Sequence, residues 1–298
     1  MKEKILVVGG TGFIGYHVLK NIHSKKYLRY SLSKNKPTRE KRLKHVRYLY
    51  SDITNYKDLK KKLSIDFDHV INLSGYIDHS KKKDNFLCHY LGSKNLIDIF
   101  KLKKIQTYIQ VGSSLEYGNL KSPQSEKKIC KPVSWYGKSK FRASQYLQEI
   151  SKVYNLPYII LRPYQIYGPK QKKNRLIPQT IDACLKNKEF SCTSGTQRRD
   201  FIYIDDFVSL IRKILIKKDI RYEIFNVGSG KPGLVKNIIK KIKNFTKLGN
   251  PKFGAIRMRK DEIMDLYSST KKIKKYFNWL PKVKLNQGLK KTVNSYGK

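Results

Sequence analysis

The chain has 298 residues, with 65 Lys+Arg against 22 Asp+Glu and a formal net charge of +43. That length buries a sizeable core without disulfide or metal staples, while the charge raises nucleic acid or an anionic membrane as partners. The distribution argues against both, because lysines recur along the whole chain between apolar positions, with no basic tail, no low-complexity block and no run near the length of a membrane span.

Residues 5–8 read as a first strand that runs directly into Gly9-Gly10-Thr11-Gly12-Phe13-Ile14-Gly15, with a helical pattern over 12–22. In that context each glycine has a task. Gly9 permits the tight turn, Gly12 lets the backbone approach a pyrophosphate, and Gly15 lets the helix pack on the strand with its N-terminus facing the phosphates. A second strand is expected at 27–32. An NAD site usually carries an acid about 20 positions after the glycine turn, on the ribose 2′-hydroxyl. Here the stretch reads Arg29-Tyr30-Ser31-Leu32-Ser33-Lys34-Asn35-Lys36 and holds no acid. Ser33 and Lys34 suit a 2′-phosphate instead, so NADP(H) is favoured, with NAD(H) the alternative.

Further strands are expected at 46–50, 69–73, 108–111 and 158–161, separated by helical patterns at 56–63, 86–101 and 136–154, the last stopped by Pro157. Alternation of this kind predicts an α/β fold, a doubly wound parallel sheet of the Rossmann type. After Gly168 the pattern loosens into loops at 170–175 and 191–199, a helix near 205–216 and one further strand at 224–227. The expectation is a nucleotide-binding domain over 1–168 and a smaller C-terminal α/β substrate lobe over 169–298 that returns a strand near 224–228 to the sheet.

Tyr-x-x-x-Lys recurs in so lysine-rich a chain, at Tyr30, Tyr56, Tyr90, Tyr117 and Tyr267 among others, and carries little by itself. Tyr136 differs in opening a long helix after a strand that ends in the pair Ser113-Ser114, the arrangement implied for this motif by the family that the sequence resembles. Residues four apart share a helix face, which puts Lys140 beside Tyr136. An ammonium there stabilises phenolate and lowers a tyrosine from its usual value near 10, making a general acid/base for neutral pH.

The Gly-x-x-Gly-x-x-Gly spacing, Asn72-Leu73-Ser74-Gly75, the run Gly112-Ser113-Ser114-Leu115-Glu116-Tyr117-Gly118, Tyr136 with Lys140, Leu161-Arg162-Pro163-Tyr164-Gln165-Ile166-Tyr167-Gly168-Pro169, Arg199-Asp200-Phe201 and Phe225-Asn226-Val227-Gly228 together span almost the whole chain. In these motifs the sequence resembles the extended short-chain dehydrogenase/reductase family, the NAD(P)-dependent epimerases, dehydratases and reductases of sugar nucleotides. The resemblance implies Ser113, Tyr136 and Lys140 as catalytic residues, with Ser113 polarising a substrate oxygen and Lys140 also holding the ribose. It implies cofactor contacts at Gly9, Thr11, Gly12, Phe13, Ile14, Gly15, Ser33, Lys34, Asp52, Ile53, Leu73, Ser74, Gly75, Tyr136, Lys140 and Pro163, with Asp52 at the adenine. Substrate contacts are implied at Ser114 and Tyr164, and at Arg199 and Arg259 for a diphosphate, whose geometry suits a guanidinium fork. Each has a plainer reading: Asp52 as a loop cap, the serines as packing residues, the arginines as surface charges.

Departures from the family pattern bear on the reaction. Sugar-nucleotide 4,6-dehydratases resembling this chain carry an acid one or two residues after the catalytic hydroxyl, where Ser114 and Leu115 stand, so dehydration is disfavoured. The run from Phe253-Gly254-Ala255-Ile256 to Trp279-Leu280-Pro281 is similar to the CDP-abequose synthase-like 4-ketoreductases. The expected function is NADPH-dependent 4-keto reduction of a nucleotide-diphosphate 4-keto-6-deoxyhexose, serving surface-polysaccharide synthesis. Alternatives are a sugar-nucleotide 4-epimerase of the UDP-glucose 4-epimerase kind and, from charge alone, a non-catalytic dinucleotide or nucleic-acid-binding protein. The scattered Cys88, Cys130, Cys184 and Cys192 form no metal pattern and read as reduced core thiols, so no metal is expected. Residues 1–8 carry no signal-peptide apolar region, so a cytoplasmic location is expected. The resemblance further implies a homodimer joined through the helices of Phe86 and Tyr136, with no nucleic-acid or membrane partner.

Overall fold

Ile5, Leu6, Val7 and Val8 are all fully buried, the signature of a strand covered by helices on both faces with no polar alternate to show to water. The computed structural model describes residues 2–75, 82–260 and 262–296. In chain order its first elements are β1 (Glu3–Val8), α1 (Phe13–Asn21), β2 (Tyr27–Ser33), β3 (Val46–Tyr50), α2 (Tyr56–Lys62), β4 (His69–Asn72), α3 (Lys82–Phe86), α4 (Gly92–Phe100), β5 (Thr107–Val111), α5 (Trp135–Tyr154) and β6 (Tyr158–Pro163). The later ones are β7 (Gln165–Tyr167), α6 (Leu176–Leu185), β8 (Glu189–Cys192), β9 (Arg198–Tyr203), α7 (Ile204–Ile216), β10 (Glu223–Val227), β11 (Pro232–Leu234), α8 (Val235–Thr246), β12 (Asn250–Phe253), β13 (Asp265–Leu266), α9 (Lys271–Phe277) and α10 (Leu285–Asn294).

A seven-stranded sheet runs in the order β10-β6-β5-β4-β1-β2-β3. Its paired strands are parallel wherever the register is defined, with Ile5 opposite Arg29 on one side and His69 on the other. This is the doubly wound order, in which the sense of winding reverses at β1 and β4 and the carboxyl ends of those strands make a crevice for a ligand. A core of Leu6, Val8, Leu32, Leu59, Val70, Leu96, Phe100, Tyr108, Leu147 and Ile160 fixes helices to the sheet.

Contacts divide the chain into one compact unit of Met1–Leu120, Glu126–Pro163 and Val208–Phe225 and another of Lys121–Ser125, Tyr164–Phe207 and Asn226–Lys298. In the second unit β9 is flanked by antiparallel β11 and parallel β13 and also pairs with β7, while β12 lies beside β8. Cys192, Val235 and Ile239 form a small core there with Phe190 and Phe253.

Two features depart from the sequence pattern. The helix expected over 86–101 begins at Lys82 and is interrupted by a π-turn over Leu87–Leu91, a widened turn with i→i+5 bonds that no residue pattern announces. The second half also carries more strands than the one expected at 224–227, and the supposed loop 191–199 is strand at both ends. Those strands are short and polar, and Arg198-Arg199-Asp200 shows no alternation from which a half-buried strand is read. No helix among the described residues is long and apolar enough to cross a membrane.

Candidate active site

The glycine turn at the end of β1 is built at backbone contact. Gly9 has φ +78, and a Cβ on it would stand 2.9 Å from the Leu73 carbonyl oxygen; a Cβ on Gly15 would stand 2.3 Å from the Gly9 carbonyl oxygen. The Gly12 amide donates to the Gly9 carbonyl at 3.0 Å, and the Thr11 amide donates to Ser33 Oγ at 3.2 Å. Ser33 is buried at the end of β2 and thus holds the turn itself. Gly12 is exposed and begins α1 with no side-chain cap bond, and Phe13 and Ile14 open the helix. A helix N-terminus ending on an open glycine, with its first N–H groups aimed outward, is a cradle that fits the pyrophosphate of a dinucleotide.

At the neighbouring strand ends, Lys34 and Asp52 are ion-paired at 2.8 Å. Asp52 also accepts the Thr54 amide at 3.0 Å and the Thr54 hydroxyl at 2.8 Å. Partial burial pushes the Asp52 carboxyl up, but the bonds from Lys34 and Thr54 outweigh it and hold the group below its usual range. Asp52 therefore caps its own loop, and Ile53 packs where a Cβ on Gly92 would meet its Cδ1 at 2.4 Å. After β4, the Ser74 amide and hydroxyl both donate to Asn72 Oδ1, at 3.1 and 2.5 Å. Asn72 Nδ2 in turn donates to Gln110 and Ser93. Leu73 is half-buried and Gly75 exposed.

Lys140 lies on α5 and is 4% exposed. Its ammonium donates to the Val111 carbonyl at 2.8 Å and the Ser74 carbonyl at 3.5 Å, tying α5 to the ends of β5 and β4. Burial pushes it down to about 8, partly offset by Cys88 and Glu116. Ser134 caps α5 by accepting the Gly137 amide at 3.1 Å. Gly137 brings the helix onto the serine turn, since a Cβ there would meet the Leu115 carbonyl oxygen at 2.4 Å. Ser113 is buried at the start of that turn, its Oγ accepting the Leu115 amide at 3.1 Å. Tyr136 is half-buried and stands edge-on to His89, ring centroids 4.8 Å apart. The fold thus gathers Ser113, Ser114, Tyr136, Lys140 and Ser74 around the carboxyl ends of β4 and β5.

Sequence reading passed over two groups here. His89 is buried in the π-turn against Tyr136. Glu116 is fully buried and paired with Arg162 at 2.9 Å; the Ser-x-x-Glu spacing of Ser113 to Glu116 is a capping-box signature that points to it.

Pro163 ends β6 half-exposed. In the second unit the buried Tyr164 phenol donates to Gln124 Oε1 at 2.9 Å. Arg199 pairs with Glu262 and donates to the carbonyls of Arg198 at 2.8 Å and Met264 at 3.3 Å. Its burial lowers it, against the pull of Glu262. Arg259 is exposed, and Asp261 beside it lies outside the described residues. Asp200, inside the Arg-Asp-Phe motif, is fully buried and accepts bonds from Ser229, Gly230 and Ser268.

A model of the NAD-dependent epimerase/dehydratase family matches residues 5–228. The CDP-abequose synthase of Salmonella muenchen is 26% identical over 311 aligned residues, covering 99% of this chain and 98% of its own. Among solved structures, the UDP-glucose 4-epimerase of Thermotoga maritima with UDP-glucose has a TM-score of 0.92 at 25% identity, covering 99% of this chain and 98% of that one. The UDP-glucuronic acid 4-epimerase of Bacillus cereus with UDP-glucuronic acid and NAD has a TM-score of 0.90 at 25% identity, covering 99% of each chain.

Proposed function

This chain belongs to the NAD-dependent epimerase/dehydratase family, and from that premise we propose that it reduces the 4-keto group of a nucleotide-diphosphate 4-keto-6-deoxyhexose, drawing on NADPH. The observation that carries this reading is the make-up of the serine turn. Eliminating water from a sugar needs a group that can hand a proton to the leaving hydroxyl. Ser114 and Leu115 cannot do so, and the one acid of the turn, Glu116, is sealed from solvent against Arg162. What is left is proton transfer at a carbonyl. The likeness to a CDP-abequose synthase along nearly the full length of both chains supports the same reading.

In this mechanism Ser113 donates a hydrogen bond to the C4 oxygen and Tyr136 delivers the proton to it. The Lys140 ammonium favours the phenolate left behind and bonds the ribose. When bound, the nicotinamide cofactor supplies the hydride. The 9–15 turn would hold the pyrophosphate, Asp52 and Ile53 the adenine, and Leu73, Ser74, Gly75 and Pro163 the nicotinamide half. Lys34, at a β2 end that carries no acid of its own, would leave its ion pair with Asp52 to take the 2′-phosphate, with Ser33 holding the turn behind it, which is the basis for NADPH over NADH. Arg199 and Arg259 bind the diphosphate, and Ser114 and Tyr164 bind the sugar.

A 4-epimerase is the second reading, favoured by the structural neighbours that carry that activity. The test is absorbance at 340 nm with CDP- and dTDP-4-keto-6-deoxyglucose. Stoichiometric loss of NADPH is expected, together with a fall of about 10²-fold or more in turnover for Tyr136→Phe. Interconversion of UDP-glucose and UDP-galactose without NADPH loss would replace reduction by epimerisation, and a fully active Tyr136→Phe protein would remove the assignment of the phenol.

A further inference from the structure

We propose that Glu116 is a positioning residue for the reaction, setting the Ser113 hydroxyl in place through a buried link between the serine turn, α5 and β6; this rests on the assignment of Ser113 above. The carboxylate is fully buried and each oxygen is committed. Oε1 accepts the Ser113 amide at 2.8 Å. Oε2 accepts Arg162 Nε at 2.9 Å and Ser144 Oγ at 3.2 Å. Arg162 lies on β6 and is itself 3% exposed. Ser144 sits one helical turn beyond Lys140 on α5, so one side chain ties the backbone that carries the hydroxyl to the helix that carries the phenol and ammonium.

The surroundings are shaped for this carboxylate. A Cβ on Gly112 would fall 2.1 Å from Glu116 Oε1, so glycine there leaves the carboxylate its seat. The Arg162 guanidinium covers the Tyr117 ring at 4.7 Å, which holds the fork from the other side. Ser113 Oγ, meanwhile, accepts the Leu115 amide. An oxygen fixed by an incoming N–H keeps its own proton to give, and the substrate oxygen of the proposed reaction is what would receive it. A carboxylate bound to the Ser113 amide sets where that hydroxyl stands, and misplacement of a reacting group by an ångström costs about 10²-fold in rate.

Glu116→Gln keeps the shape but turns one bond around, because its amide nitrogen faces either the Ser113 amide or the Arg162 Nε, donor against donor. The test is a double-mutant cycle in kcat, with NADPH and CDP- or dTDP-4-keto-6-deoxyglucose, over wild type, Glu116→Gln, Ser113→Ala and the double variant. Melting temperature and NADPH affinity by fluorescence are read for each. Glu116→Gln is expected to lower kcat by about tenfold to a hundredfold with KM and NADPH affinity within about twofold, and to cost less than about twofold in the Ser113→Ala background. If Glu116→Gln does not fold, Glu116→Val/Arg162→Leu takes its place, since an apolar pair removes both charges without leaving one unpaired. Equal loss in both backgrounds, or full kcat in a folded variant, overturns the proposal alone. Full turnover in Ser113→Ala overturns the assignment of that serine and the proposal with it.

Discussion

Replacing Lys140 by Met tests the chemistry and the energetics of the site in one protein. The ammonium is buried on α5 and pushed down from 10.5 to about 8, chiefly by burial, with Cys88 and Glu116 pulling the other way. At about 1.36 kcal/mol per pH unit, keeping it charged in the fold costs about 3 kcal/mol at pH 7. Because its folded value lies below its unfolded one, the unfolded chain holds more protons between about pH 8 and 10.5. Stability from this group therefore rises with pH across that window, and the penalty is complete below it. Lys140→Met keeps the aliphatic stem and removes the charge, but strips a donor from the Val111 and Ser74 carbonyls, at about 1 kcal/mol or less each. We expect the apo variant to be about 1–2 kcal/mol more stable than wild type at pH 7, to lose that advantage as pH approaches 10, and to have almost no turnover. Urea unfolding of both proteins from pH 7 to 10, followed by tryptophan fluorescence, measures this. A stability difference independent of pH, or a variant less stable at pH 7, refutes the argument.

Asp200→Ala leaves the amides of Ser229, Gly230 and Ser268 and two serine hydroxyls without their acceptor; a loss of about 3–5 kcal/mol is expected in denaturant unfolding, with relaxation and water entry keeping it below the sum of the parts. Gly15→Ala drives a methyl toward the Gly9 carbonyl and Gly10 Cα, so NADPH affinity by fluorescence titration falls at least about tenfold, because α1 must back away from the turn. Lys34→Glu puts a like charge where the 2′-phosphate is assigned, and the ratio of NADPH to NADH affinity should drop by about tenfold or more; an unchanged ratio removes Lys34 from cofactor selection.

The sheet was readable because parallel strands buried on both faces leave continuous apolar runs such as 5–8 and 158–161, and because glycine spacing is a steric requirement that only glycine meets. That Tyr136 and Lys140 share one helix was readable from the i,i+4 spacing within a long helical pattern. What escaped depends on contacts between distant residues. Nothing near Lys34 announces that its partner is Asp52. Nothing near Arg199 announces Glu262. The π-turn that brings His89 against Tyr136 is a change in hydrogen-bond stepping, invisible to periodicity.

Scarcity makes the acids of this chain more informative than its bases. With 65 Lys+Arg, a lysine at a given position carries almost no information, and Tyr-x-x-x-Lys had to be settled by position. The 22 acids are outnumbered about three to one by bases, so a surface acid readily finds a cationic partner. A buried one must find its donors within the fold. Glu116 finds them in Arg162, Ser113 and Ser144. Asp200 accepts five donors from three residues, and Asp206 accepts the amides of Lys282 and Val283, which only partly offset the burial that raises it. Each of these carboxylates ties a loop or turn to a strand or helix distant in sequence, and two of them lie inside motifs whose neighbouring residue, Ser113 or Arg199, is assigned to the substrate. In so basic a chain, then, the buried acid of a motif acts as a fastener between segments distant in sequence, Glu116 joining the serine turn to α5 and β6 and Asp200 joining β9 to residues 229–230 and 268.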